Sequence, residues 1–92
     1  MTVIFEFVGQ IKKAAGTDRF TVSGSEATCL ETAVRAAARE FGTEFSTLLF
    51  NEDGNIWRSI IIAVNEEQVD EPASTMLKDN DRILILTPMS GG

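Results

Sequence analysis

LKDNDRILILTPMSGG (77–92) decides how the chain is read. Three polar residues, Asp79-Asn80-Asp81, form a turn, with Asn80 placed for a left-handed conformation that asparagine tolerates better than most residues. Ile83 to Leu86 then make a fully apolar strand, and a few residues later come two glycines, Gly91 and Gly92. Glycine makes up about 7% of average proteins, so a random terminal pair arises in roughly one chain in 200. That signal is modest alone. It gains weight because the pair follows so closely on a strand the core must hold.

Working back from that strand, TVIFEFV (2–8) alternates, with Val3, Phe5 and Phe7 on one face and Ile4, Glu6 and Val8 on the other. GQIKKAAGTDR (9–19) is polar and flanked by glycine, so it predicts a hairpin connection into a second strand, FTVSG (20–24). The period then changes. Leu30, Ala33, Val34, Ala37 and Phe41 recur at spacings of three and four, which predicts a helix over 29–41. Thr28 and Glu31 have capping-box spacing, and Gly42 is its stop. TEFSTLLF (43–50) is a short amphipathic segment, one helical turn or irregular. NEDGN (51–55) is a turn, RSIIIAVN (58–65) reads as a central strand, and Gln68-Val69 as a minor edge strand.

The predicted order is strand, strand, helix, strand, minor strand, strand, in a single domain. One helix cannot cover both faces of such a sheet, so one face stays open. With Ile83 and Ile85 towards the helix, Leu84 and Leu86 point outward, as do Ile4 and Val8. If the first and last strands are neighbours, these four residues make an exposed apolar patch, the usual mark of a binding surface.

Composition excludes more than it suggests. The net charge of −6 is wrong for nucleic acid and suits either solubility or a basic partner. The chain has no histidine, which removes His-activated nucleophiles and His-ligated metals. Cys29 stands alone, so a reducing, cytoplasmic location is expected. No signal peptide or membrane span is expected, since 2–8 alternates and no apolar run approaches about 20 residues. The carboxylates at 52–53, 66–67 and 70–71 sit in turns and read as solvated surface. Cys29, at the first turn of the helix, reads as a small half-buried side chain rather than a nucleophile. Trp57 could serve core, rim or partner. No metal site and no catalytic constellation is expected.

That leaves the end of the chain. Pro88 favours an extended path, which predicts a flexible tail over about 87–92. Such an arm can enter a channel too narrow for a β-carbon, where its carboxylate could attack an ATP α-phosphate in a partner's active site.

AVNEEQV … LKDNDRILILTPMSGG, with the opening VIFEFVGQIKKAAG, resembles the small sulfur carriers of the ubiquitin-like β-grasp fold: the molybdopterin synthase small subunit, the thiamine-pathway carrier and the small archaeal modifiers. The family usually has glycine where this chain has Asn80, and often a second proline where it has Thr87. The resemblance implies a mixed four- to five-stranded sheet with one main helix on one face, classed as α+β. It implies that an adenylyltransferase of the ubiquitin-activating type uses ATP to adenylate Gly92, with Gly91 beside it, and that a sulfur donor makes the thiocarboxylate. The sulfur then goes to an accepting enzyme or large synthase subunit, in molybdopterin-type or related biosynthesis. On this reading the chain is a carrier rather than an enzyme and binds no cofactor itself. Ile4, Val8, Leu84, Leu86, Pro88, Met89 and Ser90 would meet the partner. The alternative is a protein modifier joined through Gly92 to target lysines.

Overall fold

The computed structural model describes residues 1–87. In chain order it holds β1 (Thr2–Val8), α1 (Gln10–Ala15), β2 (Arg19–Ser23), a 3-10 turn (Gly24–Ala27), α2 (Leu30–Phe41) and α3 (Thr43–Leu49). There follow β3 (Ile61–Val64), β4 (Glu67–Gln68), a second 3-10 turn (Pro72–Ser74) and β5 (Arg82–Leu86). The five strands lie in the order β2-β1-β5-β3-β4. β1 runs antiparallel to β2 and parallel to β5, while β3 is antiparallel to both β5 and β4. This is the mixed sheet of the ubiquitin-like β-grasp, with α2 as the main helix on one face.

Strand parity sorts the two faces. Val3, Phe5, Phe7, Ile62, Ile83 and Ile85 are buried on the helix side, against Leu30, Ala33, Val34 and Ala37 of α2. Phe41 closes the end of this core, edge-on to Phe7 at 5.6 Å and to Phe20 at 4.9 Å. Such ring pairs contribute about 0.5–1.5 kcal/mol beyond their buried area.

Two local expectations are corrected. Residues 9–19 are not a plain hairpin connection, because Gln10–Ala15 forms α1. Ile11 is fully buried and fastens that helix to the core, and Gly16 closes it in a left-handed C-cap. Ile11, Ala14 and Ala15 face the core at helical spacing, but over a single turn between two glycines that pattern is too short to stand out. The capping box is also absent: Cys29, not Thr28, is the N-cap of α2, and the Thr28 hydroxyl donates backward to the Ser25 carbonyl at 2.9 Å. The segment before β5 supports this end of the helix instead. Leu30 N–H donates to Thr75 O at 2.9 Å, and Leu77 N–H to Thr28 O at 2.8 Å. Glu31 pairs with Arg35 one turn on. The short 43–50 segment is helical from Thr43, with Phe45 and Leu49 buried.

The turn into β5 is built by its carboxylates. Asn80 has φ 69°, as its position in the sequence suggests. Asp81 accepts from Lys78 N–H on Oδ2 and from the Asn65 amide on Oδ1, both at 2.8 Å. Asn65 in turn accepts from Arg82 N–H at 2.9 Å, and Asp79 accepts from Thr2 N–H at 2.8 Å. Asp81 thus ties the β3–β4 turn to the start of β5. Asp81→Ala should lower unfolding stability by about 1–3 kcal/mol, as expected for losing two such bonds. Urea denaturation measures this.

Candidate functional site

The face turned away from α2 carries the candidate site. In register, Glu6 of β1 lies beside Leu84, and Val8 beside Leu86. On the other flank of β5, Ile61 lies beside Leu86 and Ala63 beside Leu84. Ile4, Val8, Leu84 and Leu86 therefore share the outer face, as strand parity predicts. Val8 is 45% exposed and Ile4, Leu84 and Leu86 are half-buried. Ile61, 39% exposed, belongs to the same patch and was not anticipated. The run IIIAV around it does not alternate, so only its pairing with β5 assigns it a side.

Across the sheet the patch is graded. The row Val8, Leu86, Ile61, at the end where β5 finishes, is wholly apolar. The next row is Arg19, Glu6, Leu84, Ala63, Gln68. At the far end Arg82 lies beside Ile4 and reaches Glu66 at 3.8 Å. The apolar surface thus concentrates where the chain leaves the sheet.

The exit itself is tightly made. Thr87, counted by sequence as the first residue of the tail, is 2% exposed and part of the body. Its N–H donates to Val8 O at 3.1 Å, and its hydroxyl donates to the same carbonyl at 3.3 Å. The hydroxyl also accepts from Ile11 N–H at 3.2 Å, satisfying a free donor in the first turn of α1. Gly9, the N-cap of α1, lets this happen. A β-carbon there would sit 2.5 Å from Thr87 Oγ1 and 2.6 Å from its carbonyl oxygen, and φ is 91°. Pro88, Met89, Ser90, Gly91 and Gly92 lie outside the described residues.

The other candidates lie away from this face. The Cys29 thiol is half-buried and points at the carbonyls of Ala73 and Pro72, at 3.6 and 3.7 Å. The Asn51 side chain accepts from Asp53 N–H and Asn55 N–H, so the acidic 51–55 loop is a closed turn. Trp57 is 46% exposed, and its indole N–H donates to Thr47 O at 3.3 Å. It rims an open groove on the helix side with Arg39, Thr43, Ser46 and Phe50. Among the described residues, no cluster of three His, Cys, Asp or Glu could hold a metal ion. No helix among them is long and apolar enough to cross a membrane.

The ThiS family model matches residues 5–92. A comparison with curated protein sequences gives no match. Among solved structures, small archaeal modifier protein 1 from Haloferax volcanii superposes with TM-score 0.85 at 17% identity, over 100% of both chains. The protein of that name from Methanosarcina acetivorans gives TM-score 0.84 at 25% identity, over 99% of this chain and 96% of that one. A chain in the complex of subunits 1 and 2 of the molybdopterin-converting factor from Helicobacter pylori gives 0.63 at 28% identity, over 100% of both.

Two substitutions test the exit. Thr87→Val keeps the shape but leaves Ile11 N–H unpaired, and should lower stability by about 1–3 kcal/mol. Gly9→Ala should cost at least as much, about 2–4 kcal/mol, from strain added to overlap. Urea denaturation gives both values, and hydrogen exchange at the Ile11 amide should accelerate in Thr87→Val.

Proposed function

The chain belongs to the ThiS family, and from that premise we propose that it is a ubiquitin-like sulfur carrier acting through a Gly92 thiocarboxylate. The observation that carries this reading is the placement of the exit. β5 is flanked on both sides by other strands, ends at a hydrogen-bonded Thr87, and does so beside an exposed apolar row. A partner resting on that row has the segment 88–92 delivered to it from a fixed point.

The proposed partner is an adenylyltransferase of the ubiquitin-activating type. It docks on Ile4, Val8, Leu84 and Leu86, with Ile61 added, and Pro88, Met89 and Ser90 line the approach. Gly91 and Gly92, lacking side chains, enter its nucleotide site. There the Gly92 carboxylate attacks the α-phosphate of ATP, forming the acyl-adenylate and releasing pyrophosphate. A sulfide-level donor then attacks the acyl carbon, AMP leaves with the electrons of the broken C–O bond, and the thiocarboxylate remains. The sulfur passes to an accepting enzyme or a larger synthase subunit of molybdopterin-type or related biosynthesis. The Helicobacter chain's presence in a two-subunit complex supports a subunit of that kind as partner. On this reading the chain is substrate and carrier, not enzyme. ATP belongs to the partner, and the site of action is the cytoplasm.

A second reading has one observation in its favour, the 25% identity to small archaeal modifier protein 1 of Methanosarcina acetivorans. Here a lysine amine of a target attacks the same adenylate-derived acyl group and forms an isopeptide bond at Gly92. Incubation with the adenylyltransferase, ATP and a sulfur source should shift the intact mass by one oxygen exchanged for sulfur. Deleting Gly92 should abolish that shift and leave the melting curve unchanged. An unaltered mass with a ladder of larger species in lysate would favour the modifier. Activity surviving the deletion would sink both readings.

A further inference from the structure

One charged group sits inside the apolar field. Glu6 is flanked along β1 by Ile4 and Val8, which point to the same side, and across the sheet by Leu84. On its fourth side is Arg19 of β2, directly opposite in register. Their contact is a single one of 3.5 Å, between Arg19 Nη2 and Glu6 Oε2. The Arg19 side chain is 70% exposed and that of Glu6 is 35% exposed. A long, solvated ion pair of this kind contributes little. The other outward cation nearby, Arg82, reaches Glu66 and not Glu6. Among the described residues only Oε2 of Glu6 has a protein partner.

A surface that covers Val8, Leu84 and Leu86 removes the water now serving this carboxylate. A desolvated, half-paired carboxylate is strongly unfavourable. Arg19 lies on the edge strand and offers one contact. The remaining lone pairs need donors from the incoming surface, and a guanidinium supplies two in the right plane. The net charge of −6 favours approach to a basic surface of this kind.

We propose that Glu6 is a specificity-determining anchor: the adenylyltransferase surface that seats on the outer sheet face presents a basic side chain, within an apolar surround, that pairs with the Glu6 carboxylate. This rests on the docking reading given above. The pair would set register on an otherwise slippery apolar face, because only one placement buries both charges together.

The test is calorimetric titration of the full chain with the adenylyltransferase encoded in the same genome. Variants are Glu6→Gln, Glu6→Arg, Arg19→Ala and Leu84→Arg, each checked for native melting. Glu6→Gln should weaken binding about tenfold or more, with a shallower salt dependence, and Glu6→Arg about a hundredfold or more, since truncating or reversing one partner of a buried pair is costly. Arg19→Ala should stay within about threefold of the parent, as a rim charge does. If Glu6→Gln binds as tightly as the parent while Leu84→Arg does not, the face is a docking site but Glu6 is no anchor. If Arg19→Ala weakens binding as much as Glu6→Gln, the anchor's partner lies within this chain and the inference falls. If the parent does not bind, or Leu84→Arg binds unchanged, the docking reading fails and takes this inference with it.

Discussion

The fold depends on the parallel pairing of its first and last strands. β1 and β5 run side by side from Ile4 and Arg82 to Val8 and Leu86. A parallel pair cannot be closed by a tight turn and needs a long crossover. Nearly the whole chain between Val8 and Arg82 makes that crossover, and α2 within it covers one face of the sheet. β3 then adds to the free side of β5. The last strand is therefore interior, and the chain leaves from the middle of the sheet rather than from an edge.

That placement separates two uses of apolar side chains. Phe5, Phe7, Ile83 and Ile85 point to α2 and stabilise the domain. Their alternates, Ile4, Val8, Leu84 and Leu86, point away and are not needed for that core. The edges of the sheet are guarded differently. β4 has only two residues, Glu67 and Gln68, and β2 carries Arg19, so neither edge extends the apolar surface. The exposed patch is confined to the central strands, next to the exit.

Much of this was legible in the residues. In β1, Glu6 between Phe5 and Phe7 marked the two faces, whereas β5 is apolar throughout and its faces followed from placing Ile83 and Ile85 towards the helix. The stripe of α2 was equally plain. What failed was local chemistry overridden by distant contacts. Thr28 and Glu31 had the spacing of a cap, but at the α2 N-terminus it is the Thr75 carbonyl, 45 residues away in sequence, that accepts from Leu30 N–H. α1 was hidden because the spacing of Ile11, Ala14 and Ala15 spans only one turn. Ile61 was unassignable because its run carries no alternation. Thr87 looked like tail because a threonine after a strand has no signature of its own. Its burial follows from Gly9, a residue 78 positions earlier whose missing side chain makes room for it.

The Gly9–Thr87 contact also limits what the exit can reach. A chain held at Thr87 has five residues to Gly92, and an extended chain covers at most about 3.3–3.6 Å per residue, or roughly 17 Å. On the proposed reading, the partner's nucleotide site must then lie within that radius of the Val8–Leu86 row. Were Thr87 loose, the reach would lengthen and the direction would be lost. The latch therefore couples the stability of α1 to a defined origin: the Ile11 amide is capped only when Thr87 is home. Docking face and exit are coupled through β5, whose Leu86 belongs to one and whose next residue belongs to the other. Moving either relative to the other would require breaking the β1–β5 ladder itself. A rigid distance between the docked surface and the start of the arm is thus a property of the sheet, and it does not depend on any contact made by the arm.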